Sequence, residues 1–235
     1  VTQQYSSTVP AGQVISQSPA AGAQVAPGSA VDLVVSKGVQ PVAVPNVVGK
    51  TEAAAGSALT SAGLTVGSVT QQYSSTVPAG QVISQSPAAG AQVAPGSAVN
   101  LVVSKGVQPV SVPNVVGKTE AAAGSALTAA GLTVGSVIQQ YSSTVPAGQV
   151  ISQSPAAGAQ VAPGSAVDLM VSKGVQPVAV PSVVGKTEAA AGSALTSAGL
   201  AVGSVTQQYS STVPAGQVIS QSPAAGAQVA PGSAI

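Results

Sequence analysis

Ser36 stands immediately before Lys37, and the same pair returns as Ser104-Lys105 and Ser172-Lys173. A hydroxyl beside an amine is the raw material of a nucleophile and its base. Neighbours on a strand point to opposite faces, however, so the two side chains cannot form the hydrogen-bonded pair that such chemistry needs. An exposed strand end is the expected role. Asp32 and Asp168 could seek a metal, but Asn100 fills the matching place and no second carboxylate lies nearby in sequence. Hard cations want several oxygens together, so a solvated edge residue is expected there instead. Lys50-Thr51-Glu52 and its copies could touch a glycan or a peptide stem, and are read rather as a helix cap with its dipole partner. Tyr5, Tyr73, Tyr141 and Tyr209 are the only aromatic side chains. They form the candidate set for inter-bead or lateral contacts, the alternative being that each covers the edge of its own small core. The Ser74-Ser75-Thr76 loops are candidate carriers of O-linked glycans on a surface stalk. The chain has no histidine, no cysteine and no carboxylate cluster. The sequence therefore predicts no catalytic site, no metal site, no cofactor and no enzyme.

The elements that position these residues are copies of one another. The four tyrosines set a period of 68 residues (73 − 5), and self-similarity at fixed period decides architecture before propensity does. Units separated by that period differ at very few places, among them Asp32/Asn100, Ala43/Ser111 and Ser61/Ala129. An array of copies makes the same surface many times, whereas an enzyme needs one site of unlike residues. A natural unit runs from Val44 to Gly106. Thr51 is the expected N-cap of an alanine-rich helix over Glu52–Ala62, and Gly63 its left-handed stop. Gly56 inside that helix costs up to about 1 kcal/mol against alanine, which suggests close packing on a strand. Strands are expected at about Val66–Tyr73, at Gln81–Ser86 and at Ala98–Ser104, with turns at Thr76–Gly80 and through Ala88–Ser97. The predicted fold class is α+β: small beads, each with one helix on a three-stranded sheet, whose core is Leu59, Leu64, Val66, Ile83, Leu101 and Val103. The predicted units are a partial repeat at 1–38, repeats at 44–106 and 112–174, and a repeat at 180–235 that stops within its last strand. Short proline-containing linkers at 39–43, 107–111 and 175–179 favour extended, semi-rigid joints and an elongated rod.

Composition excludes several classes. Six basic and five acidic residues leave a net charge of +1, with no phenylalanine or tryptophan. Nucleic-acid binding needs a clustered basic footprint and stacking aromatics, and neither is present. Mean hydropathy is +0.44, but serine, glycine, proline or glutamine cuts every apolar stretch before a membrane span of about 18 residues can form. Regular spacing of Val, Ile and Leu at low net charge favours folding over disorder. Both ends fall within a bead, which leads us to expect a window on a longer array, with head-to-tail completion of the broken beads by another copy as the less favoured alternative.

Three pieces occur in order within the repeats: VPNVVGKTEAAAGSALTSAGL at Val44–Leu64, GQVISQSPAAG at Gly80–Gly90 and VAPGSAVNLVVSKG at Val93–Gly106. Together they resemble the PASTA domain, a small extracellular module of penicillin-binding proteins and bacterial Ser/Thr kinases. The resemblance implies a bacterial cell-surface or extracellular location, a role as spacer, and in some members contact with peptidoglycan. Near-identity of the units and scarcity of charge depart from the kinase ectodomains. The leading expectation is therefore a non-catalytic structural stalk or filament that self-associates through neighbouring repeats or other copies. The alternative is a peptidoglycan-binding or sensing ectodomain of a Ser/Thr kinase or penicillin-binding protein.

Overall fold

A computed structural model describes residues 1–235 as two units, Val1–Gln108 and Pro109–Ile235. The first contains β1 (Thr2–Gln4), β2 (Val14–Ser18), β3 (Asp32–Ser36), β4 (Val42–Ala43), α1 (Glu52–Ser61), β5 (Thr65–Gln72), β6 (Val82–Ser86), β7 (Gln92–Val93) and β8 (Ala98–Ser104). The second contains β9 (Val110–Ser111), α2 (Glu120–Ala129), β10 (Thr133–Gln140), β11 (Val150–Ser154), β12 (Gln160–Val161), β13 (Ala166–Ser172), β14 (Val178–Ala179), α3 (Glu188–Ser197) and β15 (Gln228–Val229). The architecture is α+β beads in tandem, as the repeat predicts.

Within the bead at 44–106 the helix starts where its cap dictates. Thr51 has extended backbone, and its hydroxyl accepts from the amide of Ala54 at 3.3 Å. Glu52 follows in the first turn, where its charge complements the helix dipole. Gly63 adopts φ 71°, a left-handed conformation that costs other residues steric strain, and it ends the helix as expected. Ala55 and Leu59, four apart, are the buried side of α1.

The sheet order is β5-β8-β6, with β8 central. β5 runs parallel to β8 and β6 antiparallel to it. Val99, Leu101 and Val103 alternate inward from β8 and join Leu59, Leu64, Val82, Val44 and Val47 in one core. The same cluster recurs around Leu127 and Leu169, and a smaller one surrounds Leu195.

Two of the six predicted core residues are corrected. Ile83 is only half-buried because the register of β6 jumps from Val82 to Ser84 opposite β8, which leaves Ile83 as the bulged residue. A bulge shifts the alternation by one place, so Val82 takes the core position. Val66 pairs with Val99 but sits on an edge strand and stays 39% exposed. Its Cγ2 would lie 3.6 Å from a β-carbon at Gly56, an ordinary contact. The helix thus packs on β5 at Gly56 as expected, but not so closely that glycine is required.

The segments read as linkers are partly built into the beads. β4 pairs with β7, β9 with β12 and β14 with β15, each antiparallel. The residues between β6 and β8, read as loop, contribute the second strand of that small ribbon.

Candidate functional site

The Ser-Lys pairs do not come together. Ser104 is 3% exposed, which corrects its reading as an exposed strand end. Its hydroxyl donates to the Val77 carbonyl at 2.7 Å and accepts from the Gly106 amide at 2.9 Å. Ser36 makes the same bonds to Val9 and Gly38, and Ser172 to Val145 and Gly174. A hydroxyl satisfied on both sides fastens the loop after β5 to the end of the sheet, and no base faces it. That loop is braced again at its start, where Ser74 Oγ accepts from the amides of Val77 and Thr76 at 3.0 and 3.3 Å, a turn typical of serine. The Ser75 and Thr76 side chains are exposed beyond it.

Lys105 turns instead to the tyrosine. Its Nζ lies 5.4 Å from the ring centroid of Tyr73, and Lys37 and Lys173 stand in the same relation to Tyr5 and Tyr141, each at 5.5 Å. Such a cation over an aromatic face contributes about 0.5–1 kcal/mol at an exposed site. The rings remain 44–45% exposed in the three paired copies. Each bead holding both residues therefore presents an aromatic edge with a cation beside it. Tyr209 is wholly exposed.

The carboxylate position is also corrected. Asn100 and Asp168 lie on the central strand of their sheets, not at an edge. Asn100 Oδ1 accepts from the Ser68 amide at 2.8 Å, and Asp168 Oδ1 from the Ser136 amide at 2.7 Å. Both plug a register shift in the neighbouring parallel strand, between Val66 and Val69 in one bead and Val134 and Val137 in the other. A β-carbon at Gly67 would collide with the Asn100 side chain, so a larger residue there would push that amide off the Ser68 N–H. Nowhere do three His, Cys, Asp or Glu side chains converge as a metal would need. No helix is long and apolar enough to cross a membrane. Thr51 and Glu52 act as read, the Thr51 hydroxyl capping the helix and Glu52 lying in its first turn, while the Lys50 carbonyl accepts from the Val82 amide at 2.9 Å.

Gln85 was missed by sequence reasoning. Its Oε1 accepts from the Val47 amide at 2.8 Å, while Nε2 donates to the carbonyls of Pro45 and Pro87 at 3.0 and 3.3 Å. One side chain thereby ties the lead-in segment to β6, and Gln153 and Gln221 repeat the arrangement. The strand VISQS carries no local signal for it, since Gln85 is flanked by other polar residues and its partners Val47 and Pro45 lie 38 and 40 positions away.

Comparison with known proteins follows this geometry. The PASTA domain family model matches residues 1–37, 42–105, 110–173 and 178–235. A probable serine/threonine-protein kinase of Clostridium acetobutylicum is 38% identical over 169 residues, 71% of this chain and 26% of the relative. The probable serine/threonine-protein kinase PknB of Bifidobacterium longum is 34% identical over 246 residues, 99% of this chain and 33% of the relative. The chain thus spans between a quarter and a third of the length of these kinases. Among solved structures, the three-PASTA-domain of a Ser/Thr kinase from Staphylococcus aureus aligns with TM-score 0.58 and 30% identity, covering 82% of this chain and 96% of the other. The entire extracellular region of the Ser/Thr kinase PrkC from the same organism aligns with TM-score 0.51 and 32% identity, covering 81% and 68%. In helix, strand order and family match alike, this chain belongs to the PASTA domain family, as tandem copies of that module.

Proposed function

We propose that this chain serves as the cell-wall-reading region of a bacterial surface protein, a non-catalytic extracellular array that binds peptidoglycan on behalf of a Ser/Thr kinase. The likeness to the extracellular region of the Staphylococcus aureus kinase PrkC carries this reading, which reverses the order of preference drawn from the sequence. The exposed Tyr-Lys pairs give the reading its chemistry. The part of the ring that the lysine leaves exposed can lie against a sugar, and the adjacent ammonium suits the carboxylates of a glycopeptide. Repetition at a fixed period then lets several weak contacts act together on a polymeric ligand, because each further engagement is intramolecular.

Near-identity of the repeats supports a second reading, a structural stalk or filament whose tyrosines meet neighbouring beads or other copies of the chain. Sedimentation of the purified chain with insoluble peptidoglycan separates the two. Saturable binding that weakens in the Tyr73→Ala and Tyr141→Ala double variant is the expected result. No binding, together with self-assembly of the purified chain, would favour the stalk.

A further inference from the structure

The beads at 44–106 and 112–174 differ at only four positions: Ser61/Ala129, Thr70/Ile138, Asn100/Asp168 and Val102/Met170. Three of the four meet on one surface. Ile138 and Met170 are direct register partners on β10 and β13, Ser152 of β11 stands opposite Met170, and Ser154 opposite Asp168. This is the sheet face away from α2, since Val167, Leu169 and Val171 alternate into the core. Ile138 and Met170 occur in no other unit, where the matching residues are Thr2, Thr70 and Thr206, and Val34 and Val102. Drift in a near-identical array has no reason to place two enlargements as a touching cross-strand pair. The isoleucine gains nothing from the bead's own core either, for it is 61% exposed.

Ser136, Ile138, Ser152, Ser154, Asp168 and Met170 line a shallow depression of about 240 Å³. That is smaller than the roughly 300–1,000 Å³ of sites for whole small molecules, and it suits a single side chain. One wall is apolar, and one end carries a carboxylate. Asp168 uses Oδ1 on the Ser136 amide, and the cation closest to it in sequence, Lys173, is drawn over Tyr141. The serine hydroxyls on the rim can bond to a peptide backbone.

We propose that this face of the bead at 112–174 seats a lysine side chain of an extended peptide, with the methylenes on Ile138 and Met170 and the ammonium on Asp168. A long side chain buries its stem on apolar surface while its charged head stays at a polar rim, and the depression offers those two environments in that order. The site is separate from the Tyr-Lys pairs and does not depend on their binding a glycan.

Met170 is the only methionine of the chain, so a 13C-methyl label gives one resonance at the centre of the proposed seat. The full chain is titrated with Nα-acetyl-lysine methylamide and, separately, with Nα-acetyl-norleucine methylamide, which has a similar stem without the ammonium. The expected result is a saturable shift of the methionine signal with the lysine probe, and affinity about tenfold weaker or less for norleucine. Asp168→Asn and Ile138→Thr should each weaken the lysine probe by a similar factor. Both variants install the residue that the sister bead folds with, so loss of binding cannot be put down to unfolding. Equal response to both probes would overturn the proposal by showing an apolar contact alone. A methionine signal unmoved by the lysine probe would also overturn it. So would one that moves with protein concentration in the absence of probe, which would make the face a contact between copies.

Discussion

The N-terminal partial bead and the bead at 44–106 share almost every residue from the first strand onward, yet their interiors differ completely. Val82 and Val99 are 0% exposed, whereas Val14 and Val31, at the matching places, are 49% and 47% exposed. The three-stranded sheet is present in both, with the same order and the same register shift in its second strand. Residues 1–38 match the part of the bead that follows the helix, so among the described residues no lead-in segment or helix covers this sheet. Strand pairing is therefore a property of the sheet residues, while the core is made by the helix and the Val44–Val47 segment laid over them. The bead at 180–235 provides the converse case. It has a helix and lead-in but ends at the second residue of what would be the central strand, and residues 203–208, matching most of β10, form no strand.

The largest test of this contrast is a pair of equivalent truncations. Leu101→Ala should cost about 2–5 kcal/mol, since it opens a cavity in a closed core. Leu33→Ala, on a half-buried side chain, should cost well below that, and urea unfolding followed by residue-resolved NMR would measure both. Next comes the latch. Gln85→Ala strips the partner from the Val47 amide and should cost about 1–3 kcal/mol. Gln17 only donates to the Pro19 carbonyl, so Gln17→Ala should be close to neutral in the same assay. Equal effects from the two glutamine variants would break the argument that the lead-in segment closes the bead.

Ser104→Ala and Ser36→Ala should instead behave alike. Each serine is 3% exposed and bonds a loop carbonyl at 2.7 Å, so losses of about 1 kcal/mol are expected in both, read as faster amide exchange at Gly106 and Gly38. A clear difference would show that this staple depends on the helix after all. The smallest effect has the opposite sign. Gly56→Ala should stabilise the bead by up to about 1 kcal/mol, because a methyl there meets only Val66 at 3.6 Å. Gly67→Ala should destabilise, as it displaces the Asn100 side chain from the Ser68 amide.

Much of the bead was legible in the chain because its signals are local. Thr51, Glu52 and Gly63 mark a helix from its own ends, and alternation of Val99, Leu101 and Val103 marks a strand buried on one side. The burial of Ser104, the plug formed by Asn100 and the latch of Gln85 were not legible. Each joins residues about 27 to 40 positions apart, and no periodicity reports which backbone group will face a given side chain. The same holds for Ile83, where a bulge moved an apolar residue out of the core.

By itself the sequence determined the repeat, the helix with its caps and the type of bead, since these follow from spacing along one chain. Tertiary structure alone decided that the last strand of the bead is central, that β5 runs parallel to it, and that Ile138 and Met170 meet as neighbours. Those facts depend on which strands lie side by side, and pairing across a sheet is settled by the packing of the whole bead rather than by any one segment.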